Sequence, residues 1–131
     1  MSKPIFNSIH HIAIITADYP RAKYFYHDIL GLPIIREVYR EQRNSYKLDL
    51  QVNSTTQIEL FSFPNPPQRP STPEACGLRH LAFAVNDIEQ AILHLANYQI
   101  SCEPIRVDEF TGKKFTFFRD PDNLPLELYQ L

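Results

Sequence analysis

A His-apolar-Ala run occurs twice in this chain, and each copy is followed at almost the same distance by a glutamate inside a second apolar run. The first copy is His11-Ile12-Ala13, with Glu59 lying 48 residues on in Ile58-Glu59-Leu60. The second is His80-Leu81-Ala82, with Glu127 lying 47 residues on in Leu126-Glu127-Leu128. A shared offset between two His/Glu pairs constrains the fold more than composition does: it reads as a duplicated unit.

The chain has 131 residues, the length of one domain. Two modules of about sixty residues would each be marginal alone, so they are expected to share one sheet or to pair with another chain. Hydrophobic residues make up 44% and charged residues 21%, ordinary for a soluble globular protein. The net charge is −2 and Lys and Arg form no run, which speaks against nucleic acid and anionic membranes as partners. No apolar stretch approaches the roughly 18 residues of a membrane span. Met1-Ser2-Lys3-Pro4 lacks the hydrophobic region of a signal peptide. Cys76 and Cys102 do not form a disulfide framework and read as reduced packing residues. A cytoplasmic location is the expectation.

The order of elements repeats as well. The β-branched run over 9–16 predicts a strand. Asp18 then reads as an N-cap with Pro20 in the first helical turn. Ala22, Phe25, Tyr26, Ile29 and Leu30 follow a helical stripe, and Gly31 ends it. Strands are expected over about 34–40, 45–52 and 56–61. Residues 64–73 hold five of the eleven prolines and read as a stiff linker. In the second half, a strand over 78–85 precedes a helix with Asp87 and Gln90 in a capping-box pattern. Its stripe is Ile88, Ala91, Ile92, Leu95 and Ala96. Strands are expected near 100–107, 113–119 and 124–130, the last two joined by Asp120-Pro121-Asp122-Asn123, with Asn123 suited to positive φ. Each half is therefore βαβββ. The expected organisation is a single α+β domain over 1–131: module one over about 8–63, linker over about 64–76, module two over about 77–131.

Side chains alternate across a strand. The bulky residues Ile12, Ile14, Leu81, Phe83, Ile58, Leu60, Leu126 and Leu128 can therefore sit under the helices. His11, Glu59, His80 and Glu127 then fall on the opposite face, beside the small Ala13, Ala82 and Ala84. A mid-strand glutamate is costly to bury unpaired, and a divalent cation would offset that cost. Two imidazoles and two carboxylates suit Zn²⁺, Ni²⁺, Co²⁺ or Fe²⁺. Singly, each of these residues reads as structural; at repeated offsets the four read as metal ligands. His10 is expected on the other face of its strand in a structural role. Arg40, Arg43, Lys47, Arg106, Lys113 and Lys114 could meet an anionic substrate tail, although most read as solvated charges. Phe61 and Tyr129 share parity with the glutamates and are expected to line the cavity.

With these motifs the chain resembles the vicinal oxygen chelate superfamily, the group that contains glyoxalase I. The likeness runs from about Ile9 to Tyr129. It rests on the paired modules, on Gly77-Leu78-Arg79-His80-Leu81-Ala82-Phe83, and on Phe118-Arg119-Asp120-Pro121-Asp122-Asn123-Leu124-Pro125-Leu126-Glu127-Leu128. That ending is similar to the family's Phe-x-x-Asp-Pro-Asp-Gly-x-x-x-Glu-Leu signature, with Asn123 in the usual Gly place. The resemblance implies two tandem βαβββ modules forming a curved, half-barrel-like mixed sheet with helices on its outer face. It implies His11, Glu59, His80 and Glu127 as the ligands of a divalent metal ion, and a homodimer. The ligand pattern is that of glyoxalase I rather than of the thiol transferases and dioxygenases, which use two histidines and one glutamate. It implies a metal-dependent lyase or isomerase acting on a small substrate with adjacent oxygens through an enediolate-type intermediate, with Glu127 as base and Glu59 opposite it. Other metalloenzymes of the same superfamily (a thiol transferase, an epimerase, a dioxygenase) and a small-molecule-binding protein are the alternatives. Glyoxalase I also places an Arg four residues after its first ligand and an Asn four after its second, both on the glutathione carboxylate. Here those positions are Ile15 and Phe63.

Overall fold

The computed structural model describes residues 4–131. Met1-Ser2-Lys3, part of the segment expected to lack a signal peptide's hydrophobic region, lies outside the described residues. The chain divides into two compact units between Pro67 and Gln68, within the proline-rich stretch. No helix among the described residues is long and apolar enough to cross a membrane.

The first unit begins with β1 (His11–Thr16). Asp18 caps α1 (Tyr19–Lys23), its carboxylate accepting from the Arg21 amide at 3.2 Å, with Pro20 in the first turn where its missing N–H costs nothing. The helix widens into a π-helical turn over Tyr24–Ile29, marked by the Leu30 amide donating to the Phe25 carbonyl at 2.9 Å. Ala22, Phe25, Tyr26 and Ile29 are buried as the stripe requires. The wider turn rotates the side chains beyond it, and Leu30, assigned to the same face, is only half-buried. Gly31, at φ 75°, supplies the left-handed residue that ends the helix. β2 (Ile34–Arg40), β3 (Ser45–Gln51) and β4 (Gln57–Ser62) complete a four-stranded sheet in the order β1-β4-β3-β2. β1 pairs with β4 in parallel and the remaining pairs are antiparallel. The helix packs on β4 over a core of Ile14, Leu48, Leu50, Ile58 and Leu60.

The second unit repeats this plan with β5 (Leu81–Val85), α2 (Ile88–Ala96), β6 (Arg106–Val107), β7 (Lys114–Arg119) and β8 (Pro125–Gln130), in the order β5-β8-β7-β6. Asp87 caps α2 by accepting from the Gln90 amide at 3.1 Å. Ile88 and Leu95 are fully inside, Ala91 and Ile92 are half-buried, and Ala96 is exposed. In the turn before β8, Asp120 accepts from the amides of Asp122 and Leu124 at 2.9 and 2.8 Å, and Asn123 takes φ 68°. Each unit is thus an open, mixed four-stranded sheet with one helix, the βαβββ pattern expected.

Three strands start two or more residues later than the sequence predicts, β1 at His11 instead of residue 9 among them. The segment over 100–107 contributes only Arg106–Val107 to the sheet. Pro104 has no N–H for a ladder, and the chain beside β7 is held instead by irregular bonds: the Glu103 amide to the Phe117 carbonyl at 2.9 Å, and the Thr116 hydroxyl to the Glu103 carbonyl at 2.6 Å. The strand expected over 78–85 starts at Leu81, so His80 sits one residue before it.

Candidate metal and substrate site

Along β1 the exposed residues His11, Ala13 and Ile15 alternate with the more buried Ile12, Ile14 and Thr16. β4 alternates in the same sense, with Ile58 and Leu60 in the core and Glu59 half-buried on the other face. Because β1 and β4 are parallel with Ala13 opposite Glu59, His11 and Glu59 share a face two residues apart in register. The His11 Nδ1 lies 3.6 Å from Glu59 Oε2. The second unit repeats the register, with Ala82 opposite Glu127 and His80 two residues before Ala82. There the approach is closer: His80 Nε2 is 2.9 Å from Glu127 Oε1. Within each unit the sequence-predicted residues therefore come together as a His–Glu pair beside a small Ala, and among the described residues no group of three or more His, Cys, Asp or Glu side chains is gathered that could hold a metal ion.

The two pairs have different surroundings. Asp49 on β3 stands opposite Glu59 in the antiparallel ladder, an unfavourable juxtaposition of like charges. Lys47 resolves it, its Nζ lying 2.9 Å from Asp49 Oδ1 and 3.8 Å from Glu59 Oε2, and Arg36 adds a bond to Asp49 at 3.2 Å. Asp49 is 2% exposed. Burial alone would raise its pKa, but the hydrogen bonds and charges of Lys47 and Arg36 hold it below the ordinary carboxyl value. Lys47 is therefore the partner of a buried carboxylate, not the solvated charge that composition implies. The residue opposite Glu127 is Phe117, whose ring meets the His80 ring edge-on at 5.1 Å. Glu127 thus faces an aromatic ring where Glu59 faces an ion cluster.

His10 departs from expectation. It is exposed and precedes β1, so strand alternation does not govern it, and its Nδ1 lies 3.0 Å from the Nδ1 of His11 with the rings edge-on. Phe61 stacks on Phe63 at 6.1 Å, and the Arg40 guanidinium lies 5.0 Å from the Phe61 ring. The Tyr129 hydroxyl donates to Asp108 Oδ2 at 2.9 Å, which joins the end of β8 to the turn after β6. Ile15, in the place of an anion-binding Arg, is exposed on the face of His11. The sequence had a signal for Asp49 and Lys47, namely two charges at i, i+2 within an apolar strand, but their role depends on the cross-strand register.

Relatives of known sequence and structure place the chain. It is 62% identical to YaeR of Escherichia coli (strain K12) over 122 residues, covering 93% of this chain and 95% of that protein. It is 58% identical to YwkD of Bacillus subtilis (strain 168), covering 96% and 98% respectively. Its fold superposes on the crystal structure of a glyoxalase family protein from Enterococcus faecalis with a TM-score of 0.90 at 50% identity, over 97% of this chain and all of that one. Residues 8–128 match a family model, and the chain belongs to the Glyoxalase/Bleomycin resistance protein/Dioxygenase superfamily.

Proposed function

We propose that this chain is a metal-dependent lyase or isomerase of the glyoxalase I type, acting on a small substrate that carries two adjacent oxygens. The observation that supports it is the repeated His–Glu pair, built at the same register in both sheets. The donors suit a divalent ion of the Ni, Zn, Co or Fe kind, two imidazoles and two carboxylates being a borderline set. Two neighbouring ligands on such an ion, each about 2.1 Å from it, lie about 3 Å apart. His80 and Glu127 already stand at 2.9 Å, and His11 and Glu59 at 3.6 Å. His11 with Glu59, and His80 with Glu127, would each supply two donors to such an ion, which when bound supplies Lewis-acid stabilisation to charge developing on the substrate's oxygens.

The chain's own residues do the remainder. Glu127 is the base that removes a proton from the carbon beside those oxygens. Phe117 stands beside the Glu127 carboxylate in the antiparallel ladder, an apolar neighbour that cannot neutralise its charge. Glu59, whose charge is shared with Lys47, is the less free of the two carboxylates and serves chiefly as a ligand.

Metal analysis of the purified protein, with turnover assays on methylglyoxal adducts of several thiols, tests this function. His11→Ala and His80→Ala are expected to abolish stoichiometric metal and its stabilisation of the fold. Full metal occupancy in both variants would sink the assignment. Metal-free protein carrying a bound apolar ligand would favour a binding protein.

A further inference from the structure

The second unit contains a cleft of about 700 Å³, within the range of small-molecule sites, whose wall includes Arg69, Arg79, His80, Arg106, Phe117 and Arg119. Four guanidiniums in one wall are unusual in a chain whose net charge is −2. Two of them are neutralised locally: Arg79 pairs with Glu74, and Arg106 Nη2 with Glu103 Oε1 at 3.1 Å. Arg69 and Arg119 have no carboxylate partner among the described residues. Arg69 Nη2 donates to the carbonyls of Leu78 and Arg79, and its Nε is buried without an acceptor. Arg119 Nη1 donates to Asn123 Oδ1 at 3.2 Å and to the Asn123 carbonyl at 3.5 Å. Neutral oxygens orient a guanidinium but leave its charge uncompensated. Arg106 is also fixed, its guanidinium lying 5.2 Å from the Phe115 ring and 5.4 Å from the Phe117 ring. The cleft therefore presents two surplus positive charges on oriented forks, the geometry that matches planar or tetrahedral oxyanions.

We propose that this cleft binds the anionic end of a small organic acid, a carboxylate or a phosphate, with Arg69 and Arg119 as its charge partners. His80 belongs to the same wall, so the anion is the tail of the molecule presented to the His80–Glu127 pair. That last step rests on the proposed function; anion binding itself does not. The substrate class is then an acidic compound with adjacent oxygens, and an uncharged dicarbonyl is a poor fit.

The test is titration calorimetry on metal-free, full-length protein at constant ionic strength, with malonate and inorganic phosphate as probes and malonamide as the uncharged control. Saturable binding of either anion, absent for malonamide, is expected; tighter malonate identifies a carboxylate tail and tighter phosphate a phosphoester. Arg119→Gln, at an exposed position, should weaken the preferred anion by about tenfold, the effect of one charged hydrogen bond. Arg69→Gln should do the same, and Arg21→Gln, exposed in the other unit, should change nothing. Absence of saturable binding by both anions, or equal weakening by Arg21→Gln and Arg119→Gln, overturns the proposal. Nickel stoichiometry on the same sample keeps the two ideas apart: nickel bound without malonate or phosphate binding rejects the cleft alone, and the reverse rejects the metal site alone.

Discussion

Glu59 and Glu127 are equivalent by register and unequal by neighbour, and the proposed roles of ligand and base divide along that asymmetry. Glu59 looks across its ladder at Asp49 and shares Lys47 with it; Glu127 looks at Phe117 and has His80 at 2.9 Å. Replacing Glu127 by Gln keeps an oxygen donor and removes the proton acceptor. Metal content should stay near normal while turnover falls by roughly 10²-fold or more, the usual contribution of a positioned base. Comparable turnover in Glu127→Gln would transfer the role to Glu59 or to water. The His and Glu residues were legible in the sequence because their offsets repeat. The asymmetry was not. Whether Lys47 is solvated or serves a buried carboxylate depends on which strand lies beside it, and single-strand alternation carries no such information. His10 was misjudged for a related reason: alternation applies only inside a strand, and β1 begins one residue later.

Among the elements, the most legible were those whose ends are fixed by side chains acting on their own backbone. Asp18 and Asp87 each accept from the amide three residues on, at 3.2 and 3.1 Å, and both were visible as caps before apolar stripes. Each replaced by Ala should cost about 1 kcal/mol, read as a lower urea midpoint at unchanged slope, whereas Asn at either position should restore most of it. An equal loss in the Ala and Asn variants would show that the carboxylates act through charge rather than as caps. The elements misread were those set by tertiary partners. The π-helical turn over Tyr24–Ile29 buries the same Phe25, Tyr26 and Ile29 that an α-helix would, so the stripe cannot distinguish the two. The stretch over 100–107 has apolar residues at strand-like spacing, but Pro104 and the bonds from Glu103 to β7 leave only two residues in the ladder.

At the scale of the whole molecule the duplication explains why so short a chain could be read so far. Each unit was inferred twice, and agreement between the copies fixed the βαβββ order that both sheets show. Departures from the glyoxalase I pattern then carry the information about substrate. The residues expected to grip a glutathione carboxylate are replaced by Ile15, exposed on the face of His11, and by Phe63, stacked on Phe61. Neither can donate a side-chain hydrogen bond. Each lost charged contact weakens binding by about 1.5–3 kcal/mol. The metal-reconstituted protein should therefore turn over the glutathione adduct of methylglyoxal poorly, and a smaller acidic substrate, whose single anionic end is held by Arg69 and Arg119 and not by positions 15 and 63, should be preferred. Steady-state kinetics across a set of thiol adducts and acidic dicarbonyl-derived compounds measures this directly. A kcat/KM for the glutathione adduct at or above roughly 10⁵ M⁻¹s⁻¹, within the range of efficient enzymes, would mean that other side chains hold the tripeptide and that the apolar pair at 15 and 63 does not set specificity.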